Sequence, residues 1–329
     1  MTPSLSNPTT FIRRLWHTHA PLTVSGFLTL GLLAFFTAGI FLDERIITGL
    51  PAWLKPTKFA ISVSIYTFTL LWLLSFIDTE KPWRERLVNI LAWTVALTFA
   101  AEWVSLITQA ARGTASHFNV SSPLNTSLWV LMAVAIMVLW AANFVIAGLL
   151  LFQRFENPAF AWSLRFGLII TIIGMGLGYL MTSPTALQMA GWETGESVTI
   201  VGAHSVGVPD GGEGLPFLNW STQGGDLRIG HFIGMHALQV IPFLGWLVTR
   251  RRRWSRGQQT ALVWTLSAGY LGVTLLVTWQ ALRAQPIVQP DALTLGVFAA
   301  IVALVVLSAA GIIGFGGRGS ARADQPPVY

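Results

Sequence analysis

Residues Ser127–Phe152 read SLWVLMAVAIMVLWAANFVIAGLLLF, a run without one charged side chain. At about 1.5 Å per residue, a helix of that length exceeds the roughly 30 Å hydrocarbon thickness of a bilayer. Nothing in the run alternates as a half-buried strand would, and it is too long for an ordinary core helix. It reads as a membrane-crossing helix.

Seven further runs are long enough and mostly apolar: Leu22–Leu42, Lys58–Ile77, Leu87–Thr108, Ser163–Ser183, Arg228–Val248, Thr260–Leu282 and Leu293–Phe315. The chain as a whole agrees. Of its 329 residues 53% are hydrophobic and only 10% charged, where a soluble protein carries about 25% charged residues. Mean hydropathy is +0.62. The expected fold is therefore an all-α, polytopic transmembrane bundle of about eight helices over residues 22–315, with the lipid bilayer as its partner. A cytoplasmic segment, residues 1–21, precedes it, and a small, polar tail, residues 316–329, is expected to be disordered. The first run is long enough to be kept as a span rather than cleaved as a leader.

Basic residues set the orientation. Of the 20 lysines and arginines, 14 fall in segments belonging to the side of the two termini and 6 in the alternate segments. By the positive-inside rule both termini are cytoplasmic. The net charge of +6 is thus explained by topology, and no nucleic-acid partner is implied. The absence of cysteine excludes disulfides, thiolate metal sites, cysteine nucleophiles and covalent attachment of c-type haem.

An ionisable side chain at membrane depth is costly and marks a functional site by default. Glu102 lies about 10 Å from the outer end of its run at the helical rise. Glu102, Ser105 and Gln109 are spaced i, i+3, i+7 and share a face. In the sixth run His231 and His236 lie about 4.5 and 12 Å below Arg228, and His236 and Gln239 form an i, i+3 pair. Glu102 and His236 therefore share a depth. His231 and His236, at i, i+5, point in different directions on a regular helix. A third stripe, Lys58, Ser62, Tyr66 and Thr69, descends the second run. Outer connections add Arg45, Lys55, Arg112, His117, His204 and Asp226. The longest of them, Pro184–Asp226, has the length of a lid or binding loop, and its Ser197–Val208 portion alternates like a small hairpin. His17 and His19 precede the first run and are expected at the interface. Gly174, Gly176 and Gly178 read as small-residue helix packing.

Four readings fit this outer-half constellation. His117, His231 and His236 are candidate ligands for a metal or haem b, with Glu102 as a further metal ligand or, like Gln109, a group orienting the ligands. Lys58, Gln109, Arg112, Arg228 and Gln239 are candidates for binding or transporting a small anion or polar metabolite. Glu102 and His236 are the candidate catalytic pair of a membrane-embedded lipid hydrolase. In the fourth reading Glu102 pairs with a cation and the histidines with one another or with carbonyls, fixing helix packing alone.

The segments Trp53-Leu-Lys-Pro-Thr-Lys58-Phe-Ala-Ile-Ser62, Gln109-Ala-Ala-Arg112-Gly113-Thr-Ala-Ser116-His117-Phe-Asn119 and Gly225-Asp226-Leu-Arg228-Ile-Gly-His231-Phe-Ile-Gly-Met-His236-Ala-Leu-Gln239 together resemble a family of bacterial multi-pass inner-membrane proteins with no assigned activity. That resemblance implies a bacterial inner membrane. Glu102-x-x-Ser105 also looks like the start of the Glu-x-x-Ser-x-x-x-His element of the ceramidase and progestin-receptor metallohydrolases. Gln109 stands where that element has its histidine, and His231 and His236 are one residue further apart than its late pair.

Overall fold

Helix starts in this chain are written by proline and short polar caps. The computed structural model describes residues 8–323, with side chains from 12 to 314. Helices α3 (Pro82–Ala111), α4 (Pro123–Leu151) and α5 (Pro158–Leu177) each open on a proline, whose missing amide costs nothing in a first turn. Ser122 and Asn157 cap the amides that follow in α4 and α5. The other long helices are α1 (Pro8–Leu42), α2 (Leu54–Leu74), α7 (Leu227–Thr249), α8 (Arg256–Leu282) and α9 (Ala292–Ala323), with a short α6 (Ala186–Glu193) between α5 and α7. Among the described residues eight helices are long and apolar enough to cross a membrane, α5 being counted with the segment that runs on through α6. The backbone of α9 continues through Gly316, where a disordered tail was expected, as far as Ala323. Residues 324–329 lie outside the described residues.

Helix α1 starts well before Leu22 and is broken at His19, whose backbone is extended (φ −165°, ψ 101°). Pro21 lies two residues on, in the first turn of the following segment, where its missing amide costs nothing although a continuous helix would need it. His19 then begins the second segment. Its Nδ1 accepts the Leu22 amide at 3.1 Å, so Nε2 carries the proton and donates to Asn89 at 2.9 Å. The residue expected to be merely interfacial is a helix cap.

The chain divides into two units, one running to Gln153 and adding Thr182–Ala203, the other made of Arg154–Met181 and the residues from His204 onward. In each, the distal end is where α1 and α3, or α5 and α8, finish. In the first unit α1 packs along α2, and α3 along α4. Phe36 is fully buried, stacked on Trp53 at 5.8 Å and tilted against Trp103 at 5.6 Å. A distal hairpin joins α1 to α2. Its strands are β1 (Ile46–Ile47) and β2 (Leu50–Pro51), and both turn residues, Thr48 and Gly49, have positive φ (49° and 74°), as a type I′ turn requires.

The hairpin expected within Ser197–Val208 does not form. The Val120 amide donates to Thr199 and that of Val201 to Phe118, at 2.9 and 2.8 Å, so the first arm pairs with the α3–α4 connection. The second arm supplies β3 (Ser205–Val206), antiparallel to β4 (Gly225–Asp226) in the second unit. Each arm finds unpaired backbone elsewhere, which satisfies its polar groups without the other.

In the second unit α5 and α7 meet at Gly174 and Gly234, where a Cβ on either residue would strike the other's backbone. Gly167 faces the Ala237 carbonyl and Pro242, and Gly230 faces Thr278 of α8. Close backbone approach of small residues is how membrane helices pack without a hydrophobic driving force. Helix α9 packs chiefly on α8, and no residue of its most apolar stretch is buried.

Candidate functional site

The polar stripe of α3 is wholly buried: Glu102 is 1% exposed, and Ser105 and Gln109 are 0% exposed. Gln109 Nε2 donates to the Asn125 side chain at 3.1 Å and to the Ala115 carbonyl at 3.3 Å. Arg112 donates at 2.7 Å to both Gln109 Oε1 and Asn125 Oδ1. Asn125, at the start of α4, thus pins the last turn of α3. His117, in the α3–α4 connection, has Nδ1 3.0 Å from the Ser116 hydroxyl and its ring 5.4 Å from that of Trp129. These groups hold the α3–α4 connection in place.

Glu102 differs. Its Oε1 is buried and has no hydrogen-bond partner. Lys55, in the first turn of α2, is the charge acting on it. The adjacent Trp103 indole Nε1, between the rings of Phe36 and Phe59, is also buried without a partner, as are Ser64 Oγ and Thr67 Oγ1 of α2. Of the expected stripe on α2, Tyr66 donates to Asn143 at 2.8 Å and Thr69 to the Ile65 carbonyl, while Lys58 is half-buried. At the distal end, Arg45 clasps Asp43 and donates to the Ala111 carbonyl that ends α3. The Arg45 guanidinium, with help from the Trp53 indole, holds the Asp43 carboxyl well below the usual carboxylate range.

In the second unit the histidines are held separately. The end of α5 tightens into a 3-10 turn, and the Gly178 amide turns to Met175 and Gly176. The Gly174 carbonyl accepts instead from His231 Nδ1 at 2.8 Å, which leaves Nε2 the unprotonated nitrogen. His236 donates from Nδ1 to Gln239 at 3.3 Å, its ring 4.2 Å from that of Phe232. Arg228 is paired with Asp226, which is 1% exposed and caps α7. In the loop, His204 contacts Asp210 at 2.7 Å. Burial opposes ionisation of Asp210, but the His204 side chain and the His204 and Ser205 amides hold its carboxyl well below the ordinary range.

The structure thus joins Gln109 to Arg112, and His236 to Gln239. Glu102 lies in one unit and His231, His236 and Arg228 in the other. Among the described residues no group of three His, Asp or Glu side chains is placed to hold a metal ion. Sequence reasoning did not find Asn125, the pairing of Asp226 with Arg228, the contact of His204 with Asp210 or the action of Lys55 on Glu102. The signal for Asp226 was present: Asp43-Glu-Arg45 and Asp226-Leu-Arg228 share an i, i+2 spacing, and both aspartates accept their arginine's amide and side chain.

The eight spanning helices make this a multi-pass integral membrane protein in a lipid bilayer. Comparison with family models, curated proteins and solved structures gives no match.

Proposed function

We propose that the chain is a bacterial inner-membrane protein with both termini in the cytoplasm, and that the distal, periplasmic end of its first unit binds a small polar solute carrying a positive charge or an N–H donor. Glu102 is the anchor. The observation that carries this reading is its buried, unpartnered Oε1 in a membrane-crossing helix. An incomplete carboxyl in so dry a place is completed by a donor brought from outside, and Lys55 supplies the counter-charge the solute displaces. An anionic solute is less well served. Arg228 is neutralised by Asp226, and Arg112 donates to Gln109 and Asn125.

The test is thermal unfolding of the purified protein titrated with an organic diamine, a quaternary ammonium ion, Na⁺ and K⁺. Saturable stabilisation by one of these, abolished in the near-isosteric Glu102→Gln, is the expected result. A panel that leaves the wild type unmoved, or stabilisation that survives the substitution, overturns it.

One observation favours a second reading, a metal or haem b on the histidines. His231, with Nδ1 fixed on a carbonyl, offers Nε2 in the form a metal ligand needs. A Soret band or stoichiometric metal in the purified protein is its expected signature. A colourless, metal-free preparation removes it.

A further inference from the structure

At the proximal end of the second unit, the starts of α5 and α8 and the late part of α9 enclose an open groove of about 560 Å³. Pro158, Ala261, Trp264 and Ile312 form its apolar wall, and Arg256 stands at one end. Trp264 is 47% exposed although it packs against Trp162 and Phe166. Along α8, Arg256 and Trp264 are two turns apart, about 12 Å at the helical rise.

Charge at this end is one-sided. Between residues 154–166 and 249–257 the chain carries Arg154, Arg165, Arg250, Arg251, Arg252, Arg253 and Arg256 against a single acid, Glu156. Three of these arginines lie over indoles: Arg165 on Trp162, Arg250 on Trp246 and Arg253 on Trp254, at 5.1, 4.2 and 5.5 Å. Arginine and tryptophan gathered at one level mark the boundary between headgroups and hydrocarbon. Trp264, packed on Trp162, therefore lies at that boundary, and on its headgroup side, two turns nearer the start of α8, stands Arg256. It is exposed, and one of its nitrogens reaches the Glu156 carbonyl at 3.5 Å, which steers the guanidinium without neutralising it.

We infer that this groove is a binding site for an anionic phospholipid. The phosphate meets Arg256 within the arginine field, and one acyl chain runs down past Ala261 to Trp264 and Ile312. A zwitterionic lipid fits the apolar wall but not the field.

The experiment is native mass spectrometry of the whole protein, exchanged with dioleoyl phosphatidylglycerol or dioleoyl phosphatidylcholine, with thermal unfolding in parallel. Phosphatidylglycerol is expected to be retained and to stabilise, and phosphatidylcholine not. Arg256→Gln should weaken phosphatidylglycerol retention about fivefold, the effect of one surface arginine. Arg256→Lys should keep most of it, and Trp264→Ala should lower phosphatidylglycerol retention by removing acyl-chain contact. Equal retention of the two lipids by the wild type overturns the inference. So does undiminished phosphatidylglycerol binding by a folded Arg256→Gln.

Discussion

The Asp226 carboxylate accepts four hydrogen bonds, from the Ser221 amide and from the amide, Nε and a terminal nitrogen of Arg228. Arg228 also reaches the Asn219 carbonyl. Removing one member of such a buried pair costs about 3–5 kcal/mol because the other charge is stranded. Asp226→Ala should therefore lower unfolding stability by that order, and Asp226→Asn, which keeps the cap, by less, as read in denaturant titration. Asp210 gives a pH dependence. Its carboxyl is held below the ordinary value when folded, so its contribution is present at neutral pH and is lost on acidification below about 4. Exchange protection of the His204 and Ser205 amides, both bonded to Asp210, should fall in that range, and be lost already at neutral pH in Asp210→Ala. Glu102 was legible in the sequence because a lone acid in an apolar run stands out. The partner of Arg228 was not legible, because counting charges does not reveal which carboxylate a loop folds back to offer.

At the scale of elements, composition predicted the spans and caps adjusted their ends. Runs of apolar residues fix a helix's existence, whereas its first residue depends on a proline or a serine whose hydrogen bond the pattern does not display. The early start of α1 and its repair by His19 have that origin. The loop hairpin failed for a related reason: alternation shows that a strand wants a partner, not which one it finds. Packing between α5 and α7 was visible as a glycine series, and the structure adds that Gly174 is opposed by Gly234. Gly234→Ala inserts a methyl where backbone already lies, so a loss of about 1–3 kcal/mol is expected. Gly296→Ala, with open space around its Cβ position, should be close to neutral in the same assay.

For the whole molecule, the proposed placement of both termini in the cytoplasm can be tested directly, because the chain has no cysteine. Single cysteines at Thr114, in the α3–α4 connection, and at Arg252, between α7 and α8, should label oppositely with an impermeant maleimide in spheroplasts. Thr114→Cys should react in intact cells and Arg252→Cys only after lysis; the reverse pattern inverts the topology. The thin packing of α9 bears on how the protein is made. Helices α5, α7 and α8 rest on one another, and α9 leans mainly on the last of them. During synthesis the earlier three can settle in the bilayer while α9 is still inside the ribosome, and the final span is laid onto a finished surface. A nascent chain arrested before α9 emerges is then already protease-resistant in this unit, and one arrested before α8 is not.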